Sequence, residues 1–178
     1  MNIQRTPLNG VLLLVPEKYD DDRGFFTETY RREEFPADLD FVQDNLSRSR
    51  QGVVRGLHYQ IEHPQAKLVM AVSGEILDVA VDLREGSTTY GLHTAHRLSG
   101  TNMYQLYIPE GFAHGFSVLS ESAVVYYKCS DYYFPKGERG IRWDDPDLAI
   151  DWQVEDPVLS EKDRELPTLN EVTFKDLF

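Results

Sequence analysis

Short apolar runs, each closed by a turn-forming residue and recurring about every ten residues, leave this chain little choice but β structure. V-L-L-L-V at 11–15 stops at Pro16, and F-F-T-E-T-Y at 25–30 follows the turn Y-D-D-D-R-G. Further runs start at Val53, Leu68, Glu75, His93 and Met103. Residues 31–35 read as a helical turn that Pro36 ends, residues 41–45 as extended chain, and 47–52 as a polar loop. P-E-G-F-A-H-G-F at 109–116 reads as a glycine-punctuated corner, and 116–119 with 123–129 as a hairpin. Beyond Tyr133, prolines and glycines indicate loops and short peripheral helices. The sum is about ten strands and little helix, an all-β sandwich or barrel rather than βαβ units.

At 178 residues the chain fits one domain, 1–178, with a sizeable core. Its net charge of −12 argues against binding nucleic acid or an anionic membrane. A local cluster such as Arg23, Arg55 and Lys67 can still receive a small anion. The single cysteine, Cys129, excludes an internal disulfide and a cysteine metal cage. No apolar run approaches the ~18 residues of a membrane span, and M-N-I-Q-R-T lacks a signal-peptide core, so the expected location is cytoplasmic.

The chemistry concentrates at 53–67, V-V-R-G-L-H-Y-Q followed by Q-A-K. A titratable imidazole between two cations on strands suits proton transfer beside a developing anion. It equally describes a hydrogen-bonded surface histidine. Arg55 and His58, three apart, face opposite sides of a strand unless Gly56 marks a bulge. A metal-binding jelly roll would offer His-x-His here, but position 60 is glutamine, and His93 and His96 fall on opposite strand faces, so no metal is expected. His114 could be a site residue or a buried structural imidazole. Asp78, on an apolar strand, needs a partner, and Lys67 on what reads as the neighbouring strand is the obvious one. Tyr127 and Tyr133 are phenols on the 123–129 strand and in the loop after it. S-E-K-D at 160–163 fits a capping box, which makes Asp163 a cap on local pattern alone.

Together these segments resemble the dTDP-4-dehydrorhamnose 3,5-epimerase family. The matching motifs are D-D-R-G-F-F-T-E (21–28), F-V-Q-D-N (41–45), R-G-L-H-Y-Q (55–60) and Q-A-K-L-V (65–69). They continue with G-E-I-L-D-V-A-V-D-L-R (74–84), I-P-E-G-F-A-H-G-F (108–116), Y-K-C-S-D-Y-Y (127–133), W-D-D-P-D (143–147) and L-S-E-K-D (159–163), in unbroken order. The resemblance implies a cupin-type jelly-roll β-sandwich acting on a dTDP-linked 4-keto-6-deoxyhexose, with no cofactor. It implies His58 as base, Asp163 as its orienting partner, Lys67 at the ketone oxygen with Asp78 holding it, and Tyr127 as acid. Arg55 matches a pyrophosphate contact. Arg23, Phe26 and Glu28 match a nucleotide-binding segment, and Gln43, Asn45, His114 and Tyr133 match pocket residues. It further implies a homodimer in which N-terminal strands, about 1–50, contribute to the interface. A single-site epimerase, at carbon 3 or carbon 5, and a catalytically silent sugar-nucleotide-binding cupin remain as alternatives.

Overall fold

The computed structural model describes residues 1–35 and 38–178, all but the side chain of Phe174 among them. Two antiparallel sheets face each other. One has six strands: β1 (Asn2–Arg5), β2 (Leu12–Val15), β10 (Gln105–Ile108), β7 (Lys67–Ser73), β12 (Ser122–Cys129) and β5 (Gln43–Arg50), in that spatial order. The other has five: β13 (Glu138–Gly140), β6 (Val54–Gln60), β11 (Phe112–Val118), β8 (Glu75–Asp82) and β9 (His93–Ser99). A separate hairpin pairs β3 (Lys18–Asp21) with β4 (Gly24–Thr27). Consecutive strands cross between sheets at β7 to β8 and at β11 to β12, the connectivity of a jelly roll.

The apolar patterning explains the layers. Ile76 and Ala80 of β8, Leu98 of β9, Val69 and Ala71 of β7, and Phe116 of β11 fill the space between the sheets. The alternate β8 residues Leu77, Val79 and Val81 point the other way, yet they are also buried, under Ile141, Leu148 and Trp152 of the C-terminal segment. Coverage on both faces is why β8 reads as an almost unbroken apolar run. On the far side of the six-stranded sheet, Leu14, Leu68 and Tyr107 lie beneath Phe35, whose ring meets that of Tyr107 edge-on at 5.1 Å. The C-terminal part holds the expected short helices, α1 (Glu161–Arg164) and 3-10 turns at Leu169–Glu171 and Phe174–Asp176.

Several local expectations change. The helical turn is present at Arg32–Glu34, while Pro36 lies outside the described residues. The polar stretch 47–52 is strand as far as Arg50, because β5 turns polar residues inward as well as outward and so shows no hydrophobic alternation. The corner at 109–116 is confined to its first residues, since β11 begins at Phe112 and places His114 in mid-strand between β6 and β8. Residues 116–119 and 123–129 form no hairpin, because β11 and β12 belong to opposite sheets. β7 and β8 are likewise sequence neighbours in different sheets, so Lys67 and Asp78 face each other across the sandwich.

One irregularity positions the site. His114 pairs with His58 while Phe116 pairs with Arg55, so two residues of β11 span three of β6. Gly56 supplies the extra residue at φ +121°, and a Cβ there would lie 2.5 Å from the Gly115 Cα. Gly56→Ala should therefore destabilise the fold by about 3 kcal/mol or more, combining backbone strain and overpacking. Urea unfolding of the variant against wild type measures this, and an unchanged midpoint contradicts the account.

Candidate active site

The bulge turns Arg55 and His58 toward one cavity of about 390 Å³, which Lys67, His114, Tyr127 and Asp163 also line. A contiguous hollow of about 290 Å³ shares His58, Lys67 and Tyr127 and adds Gln43, Asn45 and Tyr133. Two sheets and a short helix contribute: β6 and β11 from one side, β5, β7 and β12 from the other, and α1 at the rim. A wider groove of about 860 Å³ lies elsewhere, but neither a histidine nor a lysine lines it, and its Arg97 is already paired with Glu75 at 2.7 Å.

His58 Nε2 and Asp163 Oδ1 are 2.6 Å apart. Asp163 also occupies the capping position, its backbone N–H donating to Ser160 Oγ at 3.1 Å. The backbone thus caps the helix while the carboxylate turns to the imidazole. Asp78, fully buried, meets His114 Nε2 at 2.7 Å. This corrects the expected Lys67–Asp78 ion pair: among the described residues Asp78 pairs with the imidazole of the adjacent strand, and Lys67 approaches from the opposite sheet. Arg55 donates through Nε to Ser49 Oγ at 3.1 Å and makes no ion pair among the described residues, which leaves its guanidinium fork for an anion. Gln43 accepts from the Tyr133 N–H at 2.8 Å and donates to Asn45 Oδ1 at 3.1 Å.

The family model for dTDP-4-dehydrorhamnose 3,5-epimerase matches residues 5–171. A dTDP-4-dehydrorhamnose 3,5-epimerase of Methanothermobacter thermautotrophicus is 51% identical over 173 residues, covering 94% of each chain. The crystal structure of the Legionella pneumophila dTDP-6-deoxy-D-glucose-3,5-epimerase in complex with dTDP-4-keto-L-rhamnose superposes with a TM-score of 0.95. It is 47% identical and covers 99% of this chain and 96% of that one. A dTDP-4-dehydrorhamnose 3-epimerase of Streptomyces niveus is 40% identical over 176 residues, covering 96% of this chain and 85% of its own. This chain belongs to the dTDP-4-dehydrorhamnose 3,5-epimerase family. It is an isomerase of the epimerase class.

The electrostatics suit an epimerase. Lys67 keeps part of its surface open, yet burial of its amine lowers its pKa against the opposing carboxylates of Asp78 and Glu138. A poorly hydrated ammonium is a strong electrostatic partner for an enolate oxygen. Burial raises the Tyr127 phenol, with Arg55 opposing, so at neutral pH it holds a proton to give. Burial also lowers the pKa of His114 despite Asp78 beside it, which keeps that imidazole neutral. For Asp163, burial alone would raise the carboxyl, but the hydrogen bond and charge of His58, with the Ser160 side chain and Lys162, outweigh it and lower the pKa.

Three sequence-expected residues stand apart from the cavity. Arg23, Phe26 and Glu28 lie on or beside the β3–β4 hairpin, where Phe26 is 69% exposed, Arg23 pairs with Asp21 at 2.5 Å and Glu28 with Arg31 at 2.7 Å. Other residues escaped sequence reasoning. Cys129 lines the second hollow opposite Lys67, and strand alternation from Tyr127 would have found it. Gln60, weighed in the sequence only as a missing metal ligand, is buried and saturated: Oε1 accepts from Phe134 N–H at 2.8 Å and Nε2 donates to the His63 carbonyl at 2.7 Å. Glu138 also lines the second hollow, and nothing in P-K-G-E-R-G distinguishes it from a loop carboxylate.

A lowered native pKa means that Asp163 stabilises the fold above the ordinary carboxylate value, about pH 4, and that this contribution is lost as pH falls through the lower native value. Urea unfolding at pH 7 and near pH 3 should show Asp163→Asn losing less stability on acidification than wild type. Equal acid sensitivity of the two proteins would contradict the pairing with His58.

Proposed function

We propose that this protein inverts carbons 3 and 5 of dTDP-4-dehydro-6-deoxy-D-glucose to give dTDP-4-dehydro-L-rhamnose. The observation that carries the reading is the His58–Asp163 pair at 2.6 Å, opening on the same cavity as Lys67 and Tyr127. The 4-keto group acidifies the hydrogens on both neighbouring carbons. His58 takes one of them, and the carbon–hydrogen electron pair moves toward the ketone oxygen, where Lys67 stabilises the enolate. One preorganised charge of this kind is worth about 3–4 kcal/mol. Tyr127 returns a proton on the opposite face, and each acid or base of this type contributes ~10²–10⁴-fold. Imidazolium and phenolate then exchange protons with solvent, and the cycle repeats at the second carbon. No electron is gained or lost overall, so side-chain acid and base suffice.

Asp163 orients His58 and stabilises its cationic form. Asp78 acts on the cavity through His114. Arg55 takes the pyrophosphate, while Gln43, Asn45, His114 and Tyr133 line the sugar and nucleotide space. Arg23, Phe26 and Glu28 complete the nucleotide site in a second copy of the chain, in a homodimer. Support comes from the β3–β4 hairpin, since a lone two-stranded ribbon is marginal in water and this one leaves Tyr19, Phe25 and Phe26 exposed. The net charge of −12 disfavours nucleic acid as a partner. Among the described residues no helix is long and apolar enough to cross a membrane. The proposed setting is cytoplasmic.

Turnover of the dTDP-4-keto-6-deoxy sugar in deuterated water is expected to place label at both carbons, and the product should feed a downstream ketoreductase to dTDP-rhamnose. Label at one carbon alone would assign a single-site epimerase, as in the Streptomyces niveus relative. His58→Ala should lower kcat by several orders of magnitude, at least the ~10²–10⁴-fold of a catalytic base, with the fold retained. Ligand binding without turnover in wild type would leave only a binding protein.

A further inference from the structure

The helix that delivers Asp163 is four residues long, too short to hold its place through its own hydrogen bonds. Two successive side chains attach it to the five-stranded sheet. Asp163 grips His58 on β6 at 2.6 Å, and Lys162 grips Glu138 on β13 at 2.6 Å. β13 and β6 are adjacent, with Glu138 opposite Gln60 and Gly140 opposite His58, so the two anchor points lie close together on neighbouring strands. The Glu138 oxygen that takes Lys162, Oε2, also accepts from the Tyr133 hydroxyl at 2.6 Å. Burial on its own would raise the Glu138 pKa, but Lys162 and Tyr133 outweigh it, and the group stays ionised. One carboxylate therefore ties together the helix, the segment after β12 and an edge strand, at the wall of the second hollow.

We propose that Glu138 is a positioning residue for the epimerisation: by holding Lys162 it fixes α1, and so fixes the reach of Asp163 to His58. The inference rests on His58 being the base of the proposed reaction. As a contribution to stability the pair is small, because the Lys162 side chain is 55% exposed. Its leverage is geometric, since a misplacement of about 1 Å at a reacting group can cost ~10²-fold in rate.

The test compares Glu138→Gln, Lys162→Met and the double variant. Glu138→Gln keeps an acceptor for Tyr133 and removes the charge, while Lys162→Met removes the ammonium that reaches Glu138 from the rim of the first cavity, which Lys162 also lines. Each single change is expected to lower kcat about tenfold with a smaller change in KM. The double variant should be no worse than the poorer single one, because both break the same link. In the ligand-free protein the far-downfield imidazole N–H resonance of the His58–Asp163 bond, identified by its loss in Asp163→Asn, should shift or broaden in both single variants. Losses that multiply, an unchanged resonance, or an effect confined to KM would overturn the inference, the last by making Glu138 or Lys162 a direct substrate contact. If wild type fails to turn over the sugar nucleotide, the proposed function falls, whereas the resonance still reports whether Glu138 holds the Asp163–His58 bond.

Discussion

The close approach of β6 to β11 at Gly56 and Gly115 is the constraint on which the site depends. Either glycine given a Cβ would collide with the other strand's backbone, at 2.5 Å from the Gly115 Cα in one case and 2.7 Å from the Arg55 carbonyl in the other. That contact accommodates the extra residue on β6, and the extra residue brings Arg55 and His58 to one side. Without it, strand alternation would send the guanidinium and the imidazole to opposite faces. Trp152 braces the same point from outside, its ring 3.2 Å from where a Gly115 Cβ would sit and its indole N–H donating to the Trp143 carbonyl at 2.7 Å. The C-terminal segment thus does two things at once: it covers the outer face of the five-stranded sheet, and its continuation supplies Asp163.

A jelly roll normally fills the space between its sheets with apolar side chains, and most of this one does. At one end the filling gives way to charged and polar groups, each requiring a partner because an unpaired buried charge costs several kcal/mol, roughly. Adjacent elements provide most of those partners, His114 for one oxygen of Asp78 and His58 for Asp163, while the second oxygen of Asp78 has none among the described residues. Lys67 and Arg55 are left without a carboxylate of their own among the described residues. The cavity is therefore carboxylate-poor at its centre although the chain as a whole carries −12. Local charge, not the overall sign, decides what enters.

What the sequence disclosed follows the same division. The all-β class was legible because short apolar runs and turn residues carry it locally, and β8 was plain because both its faces are buried. β5 was misread as a loop from Ser47 onward because its inward residues serve a polar cavity, so the alternation that marks a strand is missing. Residue type exposed His58, Lys67 and Tyr127, and family motifs gave them roles, but the partner of Asp78 could not be read from chain order. Strands that follow one another in a jelly roll switch sheets, so sequence neighbours are poor guides to contact. Glu138 and Lys162 were invisible for a further reason. Their meeting depends on how a four-residue helix docks, which no local pattern encodes.

Burial moves Lys67 down, Tyr127 up and His114 down, in every case toward the uncharged form. An anionic ligand brought against Lys67 reverses the desolvation effect for that residue, because a nearby negative charge favours the ammonium. The same anion opposes ionisation of Tyr127 and so keeps its proton in place for donation. Binding and chemistry are then linked through one field: the charge that holds the ligand also favours the ammonium of Lys67 and the protonated phenol of Tyr127. A cavity already neutralised by its own carboxylates could not respond in this manner, which gives a physical reason for pairing Asp78 with an imidazole rather than with the lysine.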